Sequence, residues 1–334
     1  MLFSKTGIGL DIGSQKIKLV KVKRQGNKIE PVLFKCMDTP PGTVDSGTII
    51  DPELLGEAIA DLVNDLKISG SRAVSAIGGQ QIYIKNFVMP HMKQLDLRRA
   101  AFYQSSSFLP ISPEEAVMDV CPVRRFTDGE GRKTDVFFVA ARKMQLDNLL
   151  AVYQAAGLKP SAVEIEPLAL YRLFKSEDDI RTLGILNFGA YRSYLAVFDE
   201  GVLTSLRHLS LGCSAFLQGV GWGEVEQREL DGIDLNEDSN YSYLLGDIIT
   251  ELSRTLEYFS MQTGGHKVNK VLLTGGGSRI KGLTDYLSSA LGYSVEQADI
   301  EKQVKIPPHL TEHERRQIMH DYPVALGLAA RGVI

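Results

Sequence analysis

Cysteine is scarce in this chain. Cys36, Cys121 and Cys213 are the only three in 334 residues. They are odd in number, far apart and without a CxxC pair. That spacing excludes a disulfide framework and a zinc ribbon and points to a reducing compartment. Long apolar runs are missing too. None approaches the ~20 residues that a bilayer-spanning helix needs, and the opening five residues lack the apolar core of a secretory signal. A cytoplasmic protein, peripheral at the membrane through a partner, is therefore expected. There is no basic surplus either. Lysine and arginine number 37 against 41 aspartates and glutamates, a net charge of −4, which argues against a dedicated nucleic-acid binder. No GxxxxGK[ST] run occurs, so there is no P-loop. Gly7, Gly9 and Gly13 miss the Rossmann spacing and fall in a hairpin pattern.

What is present reads as a folded α/β chain. With 44% hydrophobic and 23% charged residues, it can build real cores, and a length of this order suggests two domains. Ile8, Leu10 and Ile12 alternate before Gly13-Ser14-Gln15, and Ile17, Leu19, Val20 and Val22 resume the strand pattern beyond it. A third strand is expected over 33–37. A helix follows over 51–68, with Asp51 as N-cap and Pro52 at its first position. Residues 73–77 form a short strand running into Gly78-Gly79.

The stretch 80–159 has its own rhythm, β-α-β-β-α, with helices expected over 95–109 and 144–156. Residues 183–212 then repeat the opening theme of apolar strand, glycine turn and returning strand, which points to a duplicated architecture. An amphipathic helix is expected over 243–261. A strand over 270–273 enters Gly275-Gly276-Gly277, and a helix over 283–291 follows. The resulting division is a first lobe of 1–79 and 160–182 closed by a helix over 322–334, an insert of 80–159, and a second lobe of 183–321.

Three glycine turns carry the chemistry: Asp11-Ile12-Gly13-Ser14, Asn187-Phe188-Gly189-Ala190 and Gly275-Gly276-Gly277-Ser278. Each follows an apolar strand. Glycine lets backbone approach a ligand closely, so successive N–H groups can converge on phosphate oxygens. The third is expected to add a helix N-terminus. Any one of these is an ordinary turn. Three of them in a duplicated frame make a nucleotide cleft. His309-Leu310-Thr311-Glu312-His313 fits the letter of an H-x-x-E-H zinc motif, but without a third ligand it reads as an exposed helix start after Pro307-Pro308. Trp222, the only tryptophan, lies among glycines and reads as a packing residue.

Here the sequence resembles a known family. Gly9-Leu10-Asp11-Ile12-Gly13-Ser14 with Lys18 looks like the first phosphate motif of the actin-like ATPases. The run Val271 to Leu283, through Gly275-Gly276-Gly277-Ser278-Arg279, looks like their adenosine motif. Tyr322-Pro323-Val324-Ala325-Leu326-Gly327 resembles their closing helix. More narrowly, Ile84-Lys85-Asn86-Phe87-Val88-Met89-Pro90 and Phe108-Leu109-Pro110-Ile111 are similar to the PilM family, the actin-like proteins of type IV pilus assembly and relatives of the division protein FtsA.

The resemblance implies a duplicated, two-lobed actin-like (ribonuclease H-like) fold with an inserted α+β subdomain. It implies an ATP-binding scaffold with Mg²⁺. Asp11 would sit near the metal, with Gly13, Ser14, Gln15 and Lys18 around the phosphates. Asn187, Gly189 and Ala190 would form the second phosphate turn. Gly275, Gly276 and Gly277 would pass the adenosine, and Glu226 would face the ribose. It also implies docking on the cytoplasmic N-terminal peptide of a PilN-like single-span inner-membrane protein, alongside other pilus assembly proteins of a pilus or related secretion machine. The groove is expected beside the helix over 95–109, with Phe102, Tyr103 and Phe108 as contacts. Asn187 stands where such ATPases usually carry aspartate, and Glu229 where they often carry lysine. A neutral amide neither takes a proton from water nor holds a metal as a carboxylate does, so at most weak ATP hydrolysis is expected. The rival readings are an active phosphotransferase of the sugar kinase or Hsp70 type, against which stands the lack of a clear general base, and a nucleotide-free scaffold.

Overall fold

In the computed structural model, residues 5–175, 180–209, 211–217, 230–237 and 241–333 are described. The opening alternation becomes a three-stranded meander: β1 (Thr6–Ile12), β2 (Lys16–Gln25) and β3 (Lys28–Asp38). A small hairpin, β4 (Val44–Asp45) and β5 (Thr48–Ile49), leads into α1 (Pro52–Asp65). Asp51 caps that helix, its carboxylate accepting from Leu54 N at 3.0 Å. Next come β6 (Arg72–Ile77), β7 (Ile82–Pro90), α2 (Gln94–Ser105), β8 (Ala116–Asp128), β9 (Gly131–Arg142), α3 (Lys143–Ala155), β10 (Lys159–Ile165) and α4 (Glu166–Phe174). The second half runs β11 (Thr182–Phe188), β12 (Ser193–Asp199), β13 (Val202–Leu209), the short α5 (Ser214–Leu217), α6 (Ser242–Gln262), β14 (Lys270–Thr274), α7 (Leu283–Leu291), β15 (Val295–Gln297), α8 (Glu312–His320) and α9 (Pro323–Arg331).

The duplication is visible in the sheets. One has the order β3-β2-β1-β6-β10, the other β13-β12-β11-β14-β15. In each, an antiparallel meander is extended by two parallel strands. The central strands β1 and β11 are buried almost throughout, as a sheet covered on both faces requires. Between the sheets lie α4 and α9. Leu170, Leu173, Leu326 and Leu328 share one core with Val20 and Val74 of the first sheet and Ile185 and Phe198 of the second. On the outer face of the first sheet sit α1 and α3, through Leu55, Ile59, Leu149 and Val152. On that of the second sit α6 and α7, through Leu252, Leu256, Phe259 and Leu287.

The third sheet, β7-β9-β8, is antiparallel. With α2 it encloses a separate core of Met89, Leu97, Ala101, Val120, Val136 and Phe138. Two sequence expectations are corrected here. The helix expected over 95–109 stops at Ser105, because the hydroxyls of Ser105, Ser106 and Ser107 bond back to the carbonyls of Phe102, Tyr103 and Gln104, a local alternative to further helix. The helix grouped with the insert, α3, buries its apolar stripe against α1 and the first sheet rather than in the insert's core. Periodicity told that α3 hides a face, but not against what. The unit with its own core runs from Ile82 to Arg142.

Candidate functional site

Residues from both sheets close around a cavity of about 350 Å³ at the ends of β1, β6, β11 and β14. Asp11, Gly13, Ser14, Gln15, Lys18, Asn187, Gly189, Ala190, Gly275 and Gly276 all line it. The strand order explains the convergence: β1 and β11 are the central strands of equivalent sheets, so their glycine turns emerge at equivalent positions and face each other across the α4–α9 layer. One of the expected residues lies elsewhere. Gly277 does not line the cavity. A Cβ there would stand 2.2 Å from the Phe188 ring, so its missing side chain makes room for the core. Glu226 lies outside the described residues, as do Glu229 and Trp222.

The turns are braced from behind. Gly13 N donates to Lys16 O at 3.1 Å, so this amide serves the turn itself rather than a ligand. Thr39 fixes the loop through Oγ1 to Gly13 O at 2.7 Å and N to Gln15 O at 3.0 Å. Cys213 N and Ser214 N hold the carbonyls of Gly189 and Ala190, both at 2.8 Å. The N–H groups of Ser14, Gln15, Gly189 and Ala190 have no partner among the described residues. Gly275 has φ +86 and ψ 173, a conformation open essentially to glycine alone. A Cβ there would meet Asn187 Oδ1 at 2.5 Å. The expected helix N-terminus is absent at this turn: the chain makes a 3-10 turn over Gly276–Arg279, and α7 begins only at Leu283.

The charges are concentrated. Lys18 Nζ lies 3.2 Å from Asp11 Oδ2. Burial works against the ammonium, but the charges of Asp11, Asp321 and Glu166 and the Asp11 hydrogen bond outweigh it, and its pKa is raised. Glu166, the first residue of α4, lines the same cavity. Burial first, and then the Asp11 charge, push its carboxyl up to about 7. Tyr194, beside it, is raised well above the phenol range by burial and the Glu166 charge. On the opposite wall His320 bonds through Nδ1 to Ser278 Oγ at 2.9 Å, and Arg279 grips Asp231 with two bonds of 2.9 and 2.7 Å.

Sequence reasoning missed Glu166, Tyr194, Arg279, His320 and Asp321 as wall residues. Glu166 matters most, since it is a carboxylate of the kind the sequence was judged to lack. Glu166-Pro167 directly after an apolar strand was the available signal, but nothing in the sequence said that this strand end opens on the cleft. Nor do His309 and His313 form a metal site. No group of three or more potential ligands occurs among the described residues, and the segment is the start of α8, closed by a Thr311–Glu314 capping box.

Glu166 gives the fold a pH dependence of definite sign. Its folded pKa lies above the ordinary 4.5, so the native state holds the proton more tightly. The stability this contributes is fully present below pH 4.5 and is lost as pH rises through about 7. We expect Glu166→Gln to flatten the stability profile in that window by on the order of 2–3 kcal/mol. Urea midpoints measured from pH 4.5 to 8 check this. Parallel wild-type and variant profiles would contradict it.

A second, more apolar cleft of about 940 Å³ lies between α2, β8, the β10–α4 junction and the end of α9. Phe102 and Tyr103 stand on its rim, 42% and 77% exposed. The outer edge of β8 is unpaired in its sheet, and Val117 to Cys121 line the cleft. Its floor carries Glu164, gripped by Arg172 through two bonds of 2.8 Å and also paired with Arg331. Phe108 does not line this cleft. Its ring packs on Phe138 at 5.2 Å and Phe87 at 6.0 Å, under the Lys85 ammonium at 4.1 Å, and it belongs to the insert's own packing.

Two equivalent sheets around a helical layer, with paired glycine turns at a shared cleft, define an actin-like fold with an inserted α+β unit. The sequence matches the family described as type IV pilus assembly protein PilM over residues 9–333, and the chain belongs to that family. Among solved structures it resembles a PilM-PilN type IV pilus biogenesis complex, at 25% identity and a TM-score of 0.81, covering 98% of both chains. It resembles the ethanolamine utilization protein EutJ from Carboxydothermus hydrogenoformans in fold, at 14% identity and a TM-score of 0.50, covering 97% of this chain and 89% of that one. It is also similar to the cell division protein FtsA of Bacillus subtilis (strain 168), 23% identical over 242 residues, 65% of this chain and 54% of FtsA. The match therefore spans about half the length of that relative. No described helix is long and apolar enough to cross a membrane.

Proposed function

We propose that this chain is an ATP-binding scaffold of a type IV pilus inner-membrane assembly complex, docked on the cytoplasmic N-terminal peptide of a PilN-like single-span membrane protein and assembling with other pilus proteins. The observation that carries the docking half is the apolar cleft beside α2, on a chain that matches a PilM-PilN complex over 98% of its length. An extended peptide could add to the free edge of β8 by backbone hydrogen bonds and seat apolar side chains against Phe102. The PilM match and the docking cleft favour this scaffold over an active phosphotransferase. A fluorescent peptide of that partner segment, titrated with the purified chain, tests it. Saturable binding is expected, and absence of binding would overturn it.

The nucleotide half rests on the glycine cradle. A side chain at Gly13, Gly189 or Gly275 would collide with backbone or Asn187 within 2.9 Å, and the amides of Ser14, Gln15, Gly189 and Ala190 at the first two turns are unpaired among the described residues. In this reading Ser14, Gln15, Gly189 and Ala190 bind phosphate through backbone, and Lys18 neutralises it. Gly275 and Gly276 leave space for the nucleoside, with Glu226 expected at its ribose. The donor set suits a magnesium ion that arrives with phosphate, since such ions take one or two carboxylates plus phosphate oxygens; Asp11 is the carboxylate that would hold it. When bound, magnesium supplies charge neutralisation to the phosphates. Asn187 orients groups at the site without accepting a proton, while Glu166, titrating near neutrality, is suited to accept one. Slow turnover fits that pair.

Calorimetry with ATP checks this half. Lys18→Ala is expected to weaken binding by roughly tenfold to a hundredfold, the range for hydrogen bonds to charged groups. A wild-type chain that binds no ATP at millimolar concentration would favour a nucleotide-free scaffold.

A further inference from the structure

The carboxylates of the nucleotide cleft, Asp11 and Glu166, have Lys18 between them as counter-charge. One cation in the same wall has none among the described residues. Arg192 follows Gly189-Ala190-Tyr191 at the entry to β12. Its Nη1 is buried without a hydrogen-bond partner among the described residues, and none of its nitrogens forms an ion pair there. Two more buried polar atoms around the cavity have no partner among the described residues: His208 Nε2 and Thr274 Oγ1. All three side chains line the cleft.

His208 stands opposite Tyr194 on β13, their ring centroids 5.9 Å apart. Burial and the charges of Arg192 and Arg207 lower its pKa to about 4, so it is neutral at physiological pH and adds no charge of its own. Arg192 as a residue is only half-buried, but its Nη1 is turned inward and unpaired among the described residues, and a buried donor left unpaired is costly. A wall that keeps it is built to receive an anion. The ligand class follows from the neighbours. The free amides of Gly189 and Ala190 come just before Arg192 in the turn, and a planar guanidinium fork matches the oxygens of a phosphoryl group.

We propose that Arg192 receives the terminal phosphoryl group of the bound nucleotide and is the side chain by which this protein tells a nucleoside triphosphate from a diphosphate. This rests on the nucleotide reading above and deepens it. Lys18 and the first turn serve both nucleotides, whereas Arg192 serves only the longer one. Tyr194 Oη and His208 Nε2 supply the polar lining of the same recess.

Calorimetry on the full chain with ATP, with ADP, and with ADP plus inorganic phosphate separates the possibilities. Arg192→Ala is expected to weaken ATP binding by roughly tenfold to a hundredfold and to leave ADP binding within about twofold, with Arg192→Lys in between because it keeps charge but loses the fork. Equal loss for ATP and ADP, or no loss for either, overturns the proposal. So does an ADP affinity that phosphate raises in the wild type but not in Arg192→Ala while ATP binding is unchanged in both. That result assigns the site to free phosphate. A wild-type chain that binds neither nucleotide defeats the nucleotide reading itself, whereas one that binds both with equal affinity leaves that reading intact and overturns only the role of Arg192.

Discussion

Gly327→Ala is expected to destabilise the chain by about 2–3 kcal/mol, the upper part of the range for overpacking a close-packed interior. In an ordinary helix the same change stabilises by about 1 kcal/mol. The sign inverts because α9 is packed backbone to backbone on two sides. A Cβ at Gly327 would stand 2.1 Å from the carbonyl oxygen of Ala169 in α4. On the facing side, Gly7 and Gly9 of β1 leave room for the carbonyls of Ala329 and Ala325, each also 2.1 Å from an added Cβ. The helix is buried along nearly its whole length, so no neighbour can give way into solvent. Gly246 in α6 is the control. It is exposed and has nothing within 4 Å of its missing side chain, so Gly246→Ala should gain about 1 kcal/mol. Urea midpoints of the two variants should move in opposite directions. A Gly327→Ala chain as stable as wild type would mean that α9 and α4 sit further apart than described.

This helix also shows why some of the molecule was legible in the sequence and some was not. Strands with a period of two, ended by glycine, were readable, because a buried strand needs apolar residues and a turn at a phosphate needs backbone without a Cβ. The turns at Asp11, Gly13 and Ser14 and at Asn187 and Gly189 follow from that local logic, whereas Lys18 comes from the family resemblance. Glu166 and Arg192 do not. Each is a charged residue beside a strand end, a common surface pattern, and only the sheet order that brings β10 and β12 to one cleft gives either a meaning. Gly277 is a related case. Its neighbours in sequence face the cavity, whereas its own contact is the Phe188 ring. The family resemblance supplied the global arrangement that local patterns lack, but not the individual side-chain directions.

The direction of a side chain decides the largest functional effect expected. Phe102→Ser and Tyr103→Ser together should weaken partner-peptide binding by roughly thirtyfold or more, the scale of an aromatic anchor of about 2 kcal/mol. Both rings stand at the cleft rim and are substantially exposed, so their removal should cost little stability. Phe108→Ala should do the reverse. Its ring is held between Phe87 and Phe138, and truncation there should destabilise the insert by about 3 kcal/mol while leaving the peptide affinity of the folded fraction near that of wild type. Fluorescence anisotropy with the labelled peptide, read beside thermal melts and ATP calorimetry, separates the two residues' roles. ATP binding should survive in all three variants, because none of these side chains lines the nucleotide cavity. If the rim variants bind peptide as tightly as wild type, the partner lies elsewhere on the surface, and the unpaired edge of β8 has some other occupant.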